Sequence, residues 1–334
     1  MSDIIARIKE RARQNLQLIA LPETEDDRTY LAARKLVDEG IAKIALIGKV
    51  SDVEAKAGGL GISLDGIEVI DPTDEAVRDR CAALYAELRA KRGVTLEKAQ
   101  KVVADPMFCS ACLLKLGEVN GSVSGASHTT ADTVRPLLQI VKMAPGVETA
   151  SSCFIMTTPR TDLGVGGAFI FADAGLVPNP WPHQLADIAI ASAESARLYL
   201  ECEPYVAMLS FSTAGSADHP DVDKVREATK IAKKKRPDLN IDGELQGDAA
   251  LIAEVGEKKC PGSKVAGKAN VLVFPDLDAG NIAYKLVQRL TNGGAYGPLL
   301  QGLARAGMDL SRGATVDDIV NVAAISALRA GAGM

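Results

Sequence analysis

Short apolar runs alternate with helical patterns along the first third of the chain. Leu16–Leu21, Ala42–Ile47 and Ile67–Ile70 have the length of buried strands, and helical periodicity follows each of them. The first of these helical segments, Asp26–Glu39, is closed by Gly40, a residue that readily ends helices. Strands separated by helices predict a parallel sheet that is covered by helices on both faces.

A second alternation of the same kind follows the turn signal Ala144–Val147, which predicts a domain boundary. The predicted strands of this part are Ser152–Thr157, Ala168–Ala172, Tyr205–Phe211, Ile241–Glu244 and Val271–Pro275. The predicted helices are His183–Glu201, Val222–Lys235, Asp248–Val255 and Ala279–Leu290. Apolar positions from Ile319 to Leu328 predict a closing helix. We therefore expect an α/β protein of two domains.

The stretch Asp309–Asp318 lies just before the predicted closing helix and concentrates an arginine, a hydroxyl and carboxylates around Gly313. Backbone N–H groups at a helix N-terminus attract anions, and the planar cation of Arg312 suits phosphate oxygens. This stretch therefore predicts a site for an anionic ligand.

The same residues admit a purely structural interpretation. Thr315 and Asp318 have the spacing of a capping box, in which the carboxylate satisfies a free backbone donor at the helix start. Arg312 can equally pair with Asp309 or Asp317 at the surface. Both interpretations stay open at the level of this stretch alone.

A second polar cluster follows the predicted strand Val119–Ala126. Ser127–Thr130 stand where the strand ends, and ligands of open α/β sheets bind beyond the carboxyl ends of strands. Arg135 comes next, with Pro136 at an early position of a further predicted helix. Ordinary helix capping is an equally good explanation of the Ser/Thr cluster.

The composition is that of a soluble α/β protein, with 47% hydrophobic residues and few aromatic ones. The net charge of −5 is spread along the chain without a basic arm, which argues against nucleic acid or a membrane surface as a partner. No apolar run approaches the roughly 18 residues of a membrane span. Because the amphipathic start Met1–Glu10 also lacks the apolar core of a signal peptide, we expect a cytoplasmic protein.

Three motifs have the spacing of known functional sites but lack other features that those sites require. Cys109 and Cys112 have a redox or metal-ligand spacing, but they lie in a predicted helix without a second pair, so we expect core packing and no metal. Gly262–Ala269 ends in alanine where the phosphate-binding loop of NTPases requires serine or threonine, and a strand follows in place of a helix. Gly164–Gly167 lacks the last glycine of a dinucleotide fingerprint, so NAD binding has no support.

Several stretches together resemble the phosphate acetyl/butyryltransferase family, in the family's order and over almost the whole length. They are Ser124–Pro136, Leu185–Glu194, Asp242–Gln246, Val265–Leu272, Asp278–Ile282, Gln288–Leu290, Gly297–Pro298 and Asp309–Gly313. The resemblance implies two three-layer α/β/α domains, like those of isocitrate and isopropylmalate dehydrogenases, with the active site in the interdomain cleft. Residues 1–145 plus 300–334 would form the first domain and residues 146–299 the second. A homodimer is also implied.

The activity implied by the resemblance is the reversible reaction of acetyl phosphate with coenzyme A to give acetyl-CoA and phosphate. Coenzyme A is a substrate in this reaction, and neither a metal nor a prosthetic cofactor is implied. One alternative is a phosphate butyryltransferase, which differs in its acyl pocket. The others are an NAD(P)-dependent hydroxy-acid dehydrogenase of related fold and a metabolite-binding protein without catalytic activity.

The resemblance also implies roles for individual residues. Arg312 and Arg135 match two active-site arginines that would hold the phosphoryl group, with Ser127 and Thr130 as accessory donors. Ser311, in the family's catalytic loop, would donate to the carbonyl oxygen, where negative charge develops in the transition state.

Asp318 belongs to the same catalytic loop and is the candidate base, because thiols are mostly protonated at neutral pH. A carboxylate in a helix first turn beside an arginine is a weak base, whereas burial makes it a stronger one, and the sequence leaves both possibilities open. Coenzyme A binding is assigned to Arg89, with Arg92 close enough to be the alternative.

Two positions depart from the family pattern. Ala306–Met308 replaces a Pro-Val-Asn-like run before Asp309, and we expect this change to alter the rigidity of the loop. Ser127 replaces an asparagine, which removes an amide from the anion pocket. Neither departure affects the residues assigned to catalysis.

Overall fold

The computed structural model describes residues 4–333, and the chain divides into two compact units. Within these residues, the N-terminal unit contains Ile5–Pro145 and Leu303–Gly333, and the central unit contains Gly146–Gly302 together with Ile4. The segment after Gly302 therefore joins residues from the first part of the chain in the N-terminal unit.

Within residues 4–333 the strands are, in chain order, β1 (Leu18–Leu21), β2 (Lys43–Ile47), β3 (Ile67–Ile70), β4 (Gly121–Ser124), β5 (Ser151–Thr157), β6 (Ala168–Ala172), β7 (Tyr205–Leu209), β8 (Asn240–Leu245), β9 (Val271–Val273), β10 (Ala295–Gln301) and β11 (Ala306–Asp309). The α-helices of the same residues are α1 (Ile4–Gln14), α2 (Asp27–Asp38), α3 (Val50–Leu60), α4 (Glu75–Arg89), α5 (Leu96–Val103), α6 (Pro106–Leu116), α7 (Thr130–Pro136), α8 (Pro182–Leu200), α9 (Pro220–Lys235), α10 (Gly247–Leu251), α11 (Ala253–Lys259), α12 (Leu277–Thr291) and α13 (Val316–Gly331). None of these helices combines the length and apolarity that crossing a lipid bilayer requires.

The N-terminal unit is built on a fully parallel sheet with the strand order β11-β4-β1-β2-β3. The chain adds β2 and β3 on one side of β1 and β4 on the other, so the strand order reverses between β1 and β4. In sheets of this kind, ligands bind in the crevice beyond the carboxyl ends of the two strands that flank the reversal. Those strand ends are Leu21 and Ser124.

Helices cover both faces of this sheet. Successive residues of a strand point to opposite faces. In β4, a Cβ atom at Gly121 would collide with Ser326 of α13, whereas the Oγ of Ser122 is 2.7 Å from the Oγ of Ser110 in α6. α13 and α6 therefore pack on opposite faces, and the unit has the three α/β/α layers that the sequence predicts.

The central unit has a mixed sheet with the order β10-β5-β6-β9-β7-β8. β5 pairs antiparallel with both β10 and β6, and the remaining pairs are parallel. Its apolar core includes Phe154, Phe171 and Leu272. The ring of Tyr284 in α12 stacks on Phe154 with 4.1 Å between the ring centroids, which fixes this helix to the sheet.

Several elements differ from the sequence predictions. β10 and β11 were not predicted, because Gly297, Pro298 and Gly307 are poor strand formers and their strand conformation depends on pairing with β5 and β4. The helix before Leu137 begins at Thr130, so Pro136 is its last residue and not an early one.

Ala306–Met308 forms most of β11 and is not part of a loop. Gly307 packs against Leu137, where a Cβ atom would come within 2.7 Å of the leucine side chain. The small residues of this stretch thus serve strand packing, and their effect on the rigidity of the loop that follows stays a prediction.

Candidate active site

The ends of β4 and β11 lie side by side, with Ser124 and Asp309 in register. The segments that follow are called the β4 loop (Gly125–Thr129) and the β11 loop (Leu310–Thr315). Gly125 has a φ of +113°, and a Cβ atom there would collide with Asp309. Glycine thus permits the close approach that brings the predicted serines and Arg312 to one edge of the sheet.

Ser311 and Arg312 are exposed in a tight turn of the β11 loop. The turn is closed by the Ala314 N–H, which donates to the Ser311 carbonyl at 2.8 Å. The Ser311 Oγ accepts a weak hydrogen bond from the Gly313 N–H at 3.4 Å. Its hydroxyl proton has no acceptor among residues 4–333, so this proton is available to a ligand.

The ion pairs that the sequence allowed between Arg312 and Asp309 or Asp317 are not formed. Asp317 pairs with Lys35, whose Nζ is 2.7 Å from the carboxylate, and Asp309 is fully buried. Across the described part of the chain, the Arg312 guanidinium has no carboxylate within ion-pair distance. The structure therefore presents it as an exposed cation.

Asp318 forms the capping box that the spacing predicts. Its Oδ2 accepts from the Thr315 N–H and from the Thr315 hydroxyl, each at 2.8 Å, while the Thr315 Oγ1 accepts from the Asp318 N–H at 3.2 Å. The structural interpretation of this residue is confirmed, and its role as a base stays a prediction.

Glu23, just after β1, fixes the whole β4 loop. Its buried carboxylate accepts from consecutive backbone N–H groups at 2.8 to 3.0 Å, those of Gly125, Ala126, Ser127 and His128. Burial alone would raise the pKa of Glu23, but these hydrogen bonds and that of the His128 ring lower it below its usual range. The loop therefore folds around a carboxylate from the neighbouring strand.

The hydroxyl of Ser127 points to the same acidic group. Its Oγ is 2.9 Å from Glu23 Oε1 and 2.5 Å from Glu25 Oε1, and the Nδ1 of His128 is 2.9 Å from Glu23 Oε1. Burial lowers the pKa of His128, and its bond to Glu23 outweighs this and raises it. The single proton of the serine is engaged by carboxylates in this arrangement.

Glu23, Glu25 and His128 offer ligand atoms within 4.8 Å of one another, a grouping that can hold a metal ion. The oxygens of Glu23 are, however, already surrounded by the N–H groups of the β4 loop. A cation bound there would compete with these donors, so the cluster is better suited to fixing the loop than to binding a metal.

Asp309 is a buried carboxyl group between the two loops. Neither oxygen has a hydrogen bond of normal geometry within residues 4–333, although the hydroxyls of Thr130 and Thr133 lie near enough to influence its charge. Burial raises the pKa of Asp309 to about 6, and these neighbours oppose the shift only in part.

Thr130 and Arg135 lie on α7, which continues from the β4 loop. The cap of this helix is Thr129, whose Oγ1 accepts from the Asp132 N–H at 3.2 Å, so capping explains one member of the Ser/Thr cluster. Thr130 is the first helical residue. Arg135 is exposed, and its one ion pair with a carboxylate among residues 4–333 is a long contact of 3.8 Å with Asp132.

Arg89 is the last residue of α4, and within residues 4–333 it has no hydrogen bond or ion pair with the β4 or β11 loop. Its Nε is buried without a partner in that range. Arg92 lies in the short 3-10 turn Ala90–Arg92 and is exposed. Ser127, Ser311 and Arg312 therefore lie in the two neighbouring loops, whereas Arg89 lies at the end of a different helix.

Sequence reasoning missed Glu23 and Arg28. Arg28 donates to the carbonyls of Ala126 and Ala314, one in each loop, at 2.8 and 2.5 Å. The sequence did contain a signal for both residues, because the polar run Pro22–Arg28 begins where β1 ends. The same position beyond a strand end is what predicted a ligand site at Ser127.

Comparison with known proteins gives matches over the full length. A sequence model of the family described as Phosphate acetyl/butaryl transferase matches residues 3–327. The phosphate acetyltransferase of Clostridium acetobutylicum is 49% identical over 332 residues, which cover 99% of this chain and 100% of that protein. The phosphate acetyltransferase of Thermoanaerobacterium thermosaccharolyticum is 50% identical over 327 residues, covering 98% and 99%.

The fold is also similar to that of a solved structure. The crystal structure of a phosphotransacetylase from Streptococcus pyogenes matches with a TM-score of 0.92 and 41% identity, over 99% of this chain and 98% of that one. Sequence and structure comparisons thus agree.

Proposed function

The chain belongs to the phosphate acetyl/butaryl transferase family, and we propose that it catalyses reversible acetyl transfer between acetyl phosphate and coenzyme A. The thiol sulfur bonds to the carbonyl carbon, and the bond from this carbon to the phosphate oxygen breaks. The thiol proton leaves through a base, and the products are acetyl-CoA and phosphate. The reaction is a direct attack in a complex that holds both substrates.

The observation that carries this proposal is the exposed pair Ser311 and Arg312 at the end of β11, in a chain that matches phosphate acetyltransferases over almost its whole length. Acetyl phosphate carries about two negative charges near neutral pH, as phosphate monoesters do. Arg312 has no competing carboxylate among the described residues, and the contact of Arg135 with Asp132 is exposed and weak. Both guanidinium groups can therefore bind the phosphoryl oxygens in bidentate fashion.

The hydroxyl of Ser311 donates to the carbonyl oxygen as negative charge develops there. A donor preorganised for this charge stabilises the transition state more than the ground state. Thr130 supplies an accessory donor to the phosphate from the first turn of α7. Ser127 is a second one, and its hydroxyl must first break its hydrogen bonds to Glu23 and Glu25 in order to donate to the phosphate.

Asp318 accepts the thiol proton in this proposal. Its Oδ2 is occupied by Thr315, whereas Oδ1 has no hydrogen bond within residues 4–333. One oxygen of this carboxylate can therefore take part in the capping box while the other accepts the thiol proton.

Arg89 binds a phosphate of coenzyme A in this proposal. Buried polar groups are nearly always hydrogen-bonded in native proteins, and the Arg89 Nε lacks a partner within residues 4–333. That nitrogen is closed off from solvent, but the Arg89 side chain as a whole is only half-buried, and its guanidinium is a cation suited to a phosphate of coenzyme A. The enzyme uses coenzyme A as a substrate and requires no metal or prosthetic group.

The protein is a homodimer in this proposal, supported by an apolar stripe on α12. Ile282, Leu286 and Leu290 follow one another at intervals of one helical turn and are exposed, while the ring of Tyr284 packs inward on Phe154. A self-complementary contact between two such stripes suits a two-fold axis. We place the enzyme in the cytoplasm, because its cysteines are free thiols, as in reducing compartments.

Thioester formation from acetyl phosphate and coenzyme A, without added metal, tests the function. Acetyl phosphate should be used faster than butyryl phosphate, since the relatives that match over the full length are acetyltransferases. A preference for butyryl phosphate would favour the butyryltransferase alternative, and absence of thioester would refute both.

A further inference from the structure

Arg28 lies in the first turn of α2, where the helix dipole disfavours a cation. Asp26, the N-cap of this helix, offsets that effect with a bidentate ion pair. Its Oδ1 accepts from the Arg28 Nε at 3.0 Å, and its Oδ2 accepts from the Arg28 Nη2 at 2.5 Å. The same Oδ1 accepts from the Arg28 backbone N–H at 2.8 Å, so the carboxylate fixes both the backbone and the side chain.

The other guanidinium donors reach the two loops of the candidate site. Nη1 donates to the carbonyls of Ala314 at 2.5 Å and Arg312 at 3.3 Å, and Nη2 donates to that of Ala126 at 2.8 Å. A guanidinium has five N–H donors, and in this arrangement each of them has an acceptor. Arg28 therefore has no donor left for a substrate phosphate, in contrast with Arg312.

The backbone N–H and the backbone carbonyl of Ala126 are each hydrogen-bonded to a side chain. Its N–H donates to Glu23 Oε2 at 2.8 Å, while its carbonyl accepts from Arg28. Glu23 thus anchors the β4 loop to the end of β1, and Arg28 connects this anchored loop to the β11 loop.

We propose that Arg28 is the positioning residue of the β11 loop, and that its bonds to the backbone of Arg312 and Ala314 orient Ser311 and Arg312 toward acetyl phosphate. The inference rests on the proposed function. A displacement of catalytic groups by about 1 Å can reduce the rate roughly 10²-fold. Lysine cannot replace this arginine, because a single ammonium lacks the planar fork that spans Asp26 and both loops.

Arg28→Lys and Arg34→Lys form a matched pair for the test. Arg34 lies on the same helix and also donates to two loop carbonyls, those of Ser63 and Asp65 before β3. We expect Arg28→Lys to lower kcat roughly 10²-fold with an unchanged KM for coenzyme A. Arg34→Lys should keep the turnover of the wild type.

Two further measurements separate positioning from a general loss of stability. Guanidinium ions, at concentrations far below those that unfold the protein, should restore part of the turnover of Arg28→Ala. The backbone amides of the β11 loop should exchange with deuterium faster in Arg28→Lys than in Arg34→Lys. If Arg28→Ala does not fold, the lysine variant and the exchange measurement still provide the test.

Wild-type turnover in Arg28→Lys, or unchanged exchange in the β11 loop, would overturn the positioning role. A raised KM for coenzyme A as the main effect would also overturn it, because that result indicates direct contact with this substrate. A wild-type protein that forms no thioester would instead refute the proposed function. The amide exchange measurement would then still show whether Arg28 fixes the β11 loop.

Discussion

The Oδ2 of Asp318 accepts hydrogen bonds from the N–H and the hydroxyl of Thr315, both at 2.8 Å. This relationship makes Asp318 the N3 member of the capping box of α13, whose N-cap is Thr315, and leaves Oδ1 as the oxygen that can receive the thiol proton. Loss of a cap lowers stability by about 1 kcal/mol, whereas loss of a general base lowers turnover by roughly 10² or more. The two roles are therefore separable by experiment.

Asp318→Asn should lower kcat by roughly 10² and leave the affinity for coenzyme A near that of the wild type. The amide oxygen of asparagine can still accept from the Thr315 N–H in the capping box, so the melting temperature should change little. Asp317→Asn is the matched control, because Asp317 is the neighbouring carboxylate and pairs with Lys35 outside the cap. Near-wild-type turnover in Asp318→Asn would refute the role of Asp318 as the base and leave its role in the capping box.

Asp309 should make the stability of the protein depend on pH. Burial raises its pKa from 3.8 to about 6, so the folded state retains a proton that the unfolded state has already released. Its contribution to stability is therefore complete below about pH 4 and is lost as the pH rises through about 6. A shift of this size corresponds to a change on the order of 3 kcal/mol.

Asp309→Asn should remove this dependence, because asparagine has no proton to release. We expect the variant to gain stability relative to the wild type as the pH rises from about 4 to above 6. Denaturant unfolding at several pH values gives the difference directly. A difference that stays constant with pH would show that the buried carboxyl does not titrate as described.

Arg89→Ala and Arg92→Ala distinguish the two arginines that compete for coenzyme A. Arg89 has a buried Nε without a partner in the described residues, whereas Arg92 is exposed. Arg89→Ala should raise the KM for coenzyme A roughly tenfold, as expected for one lost charge-assisted bond of about 1.5 kcal/mol, without changing the KM for acetyl phosphate. A larger effect in Arg92→Ala would move the assignment to that residue.

Leu286→Glu should convert the dimer into a monomer, because it places a charge in the centre of the exposed stripe on α12. Leu96→Glu is the control, since Leu96 is similarly exposed on α5. Sedimentation equilibrium should give half the mass for Leu286→Glu only. A wild type that sediments as a monomer would contradict the proposed dimer.

The regular strands of the N-terminal unit were predictable from local pattern alone. β1, β2 and β3 coincide closely with the predicted strands. For β1 and β2 the reason is that strands covered on both faces need nearly continuous apolar sequence. β11 contains Gly307 and was not predicted, since its conformation follows from pairing with β4, a contact that no local pattern records.

The positions of Ser127, Ser311 and Arg312 were predictable, because polar residues there follow a predicted strand or precede a predicted helix. Arg28 was missed for a physical reason. Its acceptors are backbone carbonyls, which every residue has, and two of them lie 284 and 286 positions further along the chain. Side-chain type therefore gave no indication of them.

The most direct test of the central claim is the rate of thioester formation from acetyl phosphate and coenzyme A by the wild type and by Arg312→Lys. The exposed guanidinium of Arg312 binds the phosphoryl group in this account, and lysine replaces its planar fork with a point charge. We predict an active wild type and a variant whose kcat/KM for acetyl phosphate is lower by roughly 10², on the scale of a lost transition-state donor. No thioester from the wild type, or unchanged acetyl phosphate kinetics in Arg312→Lys, would contradict the account.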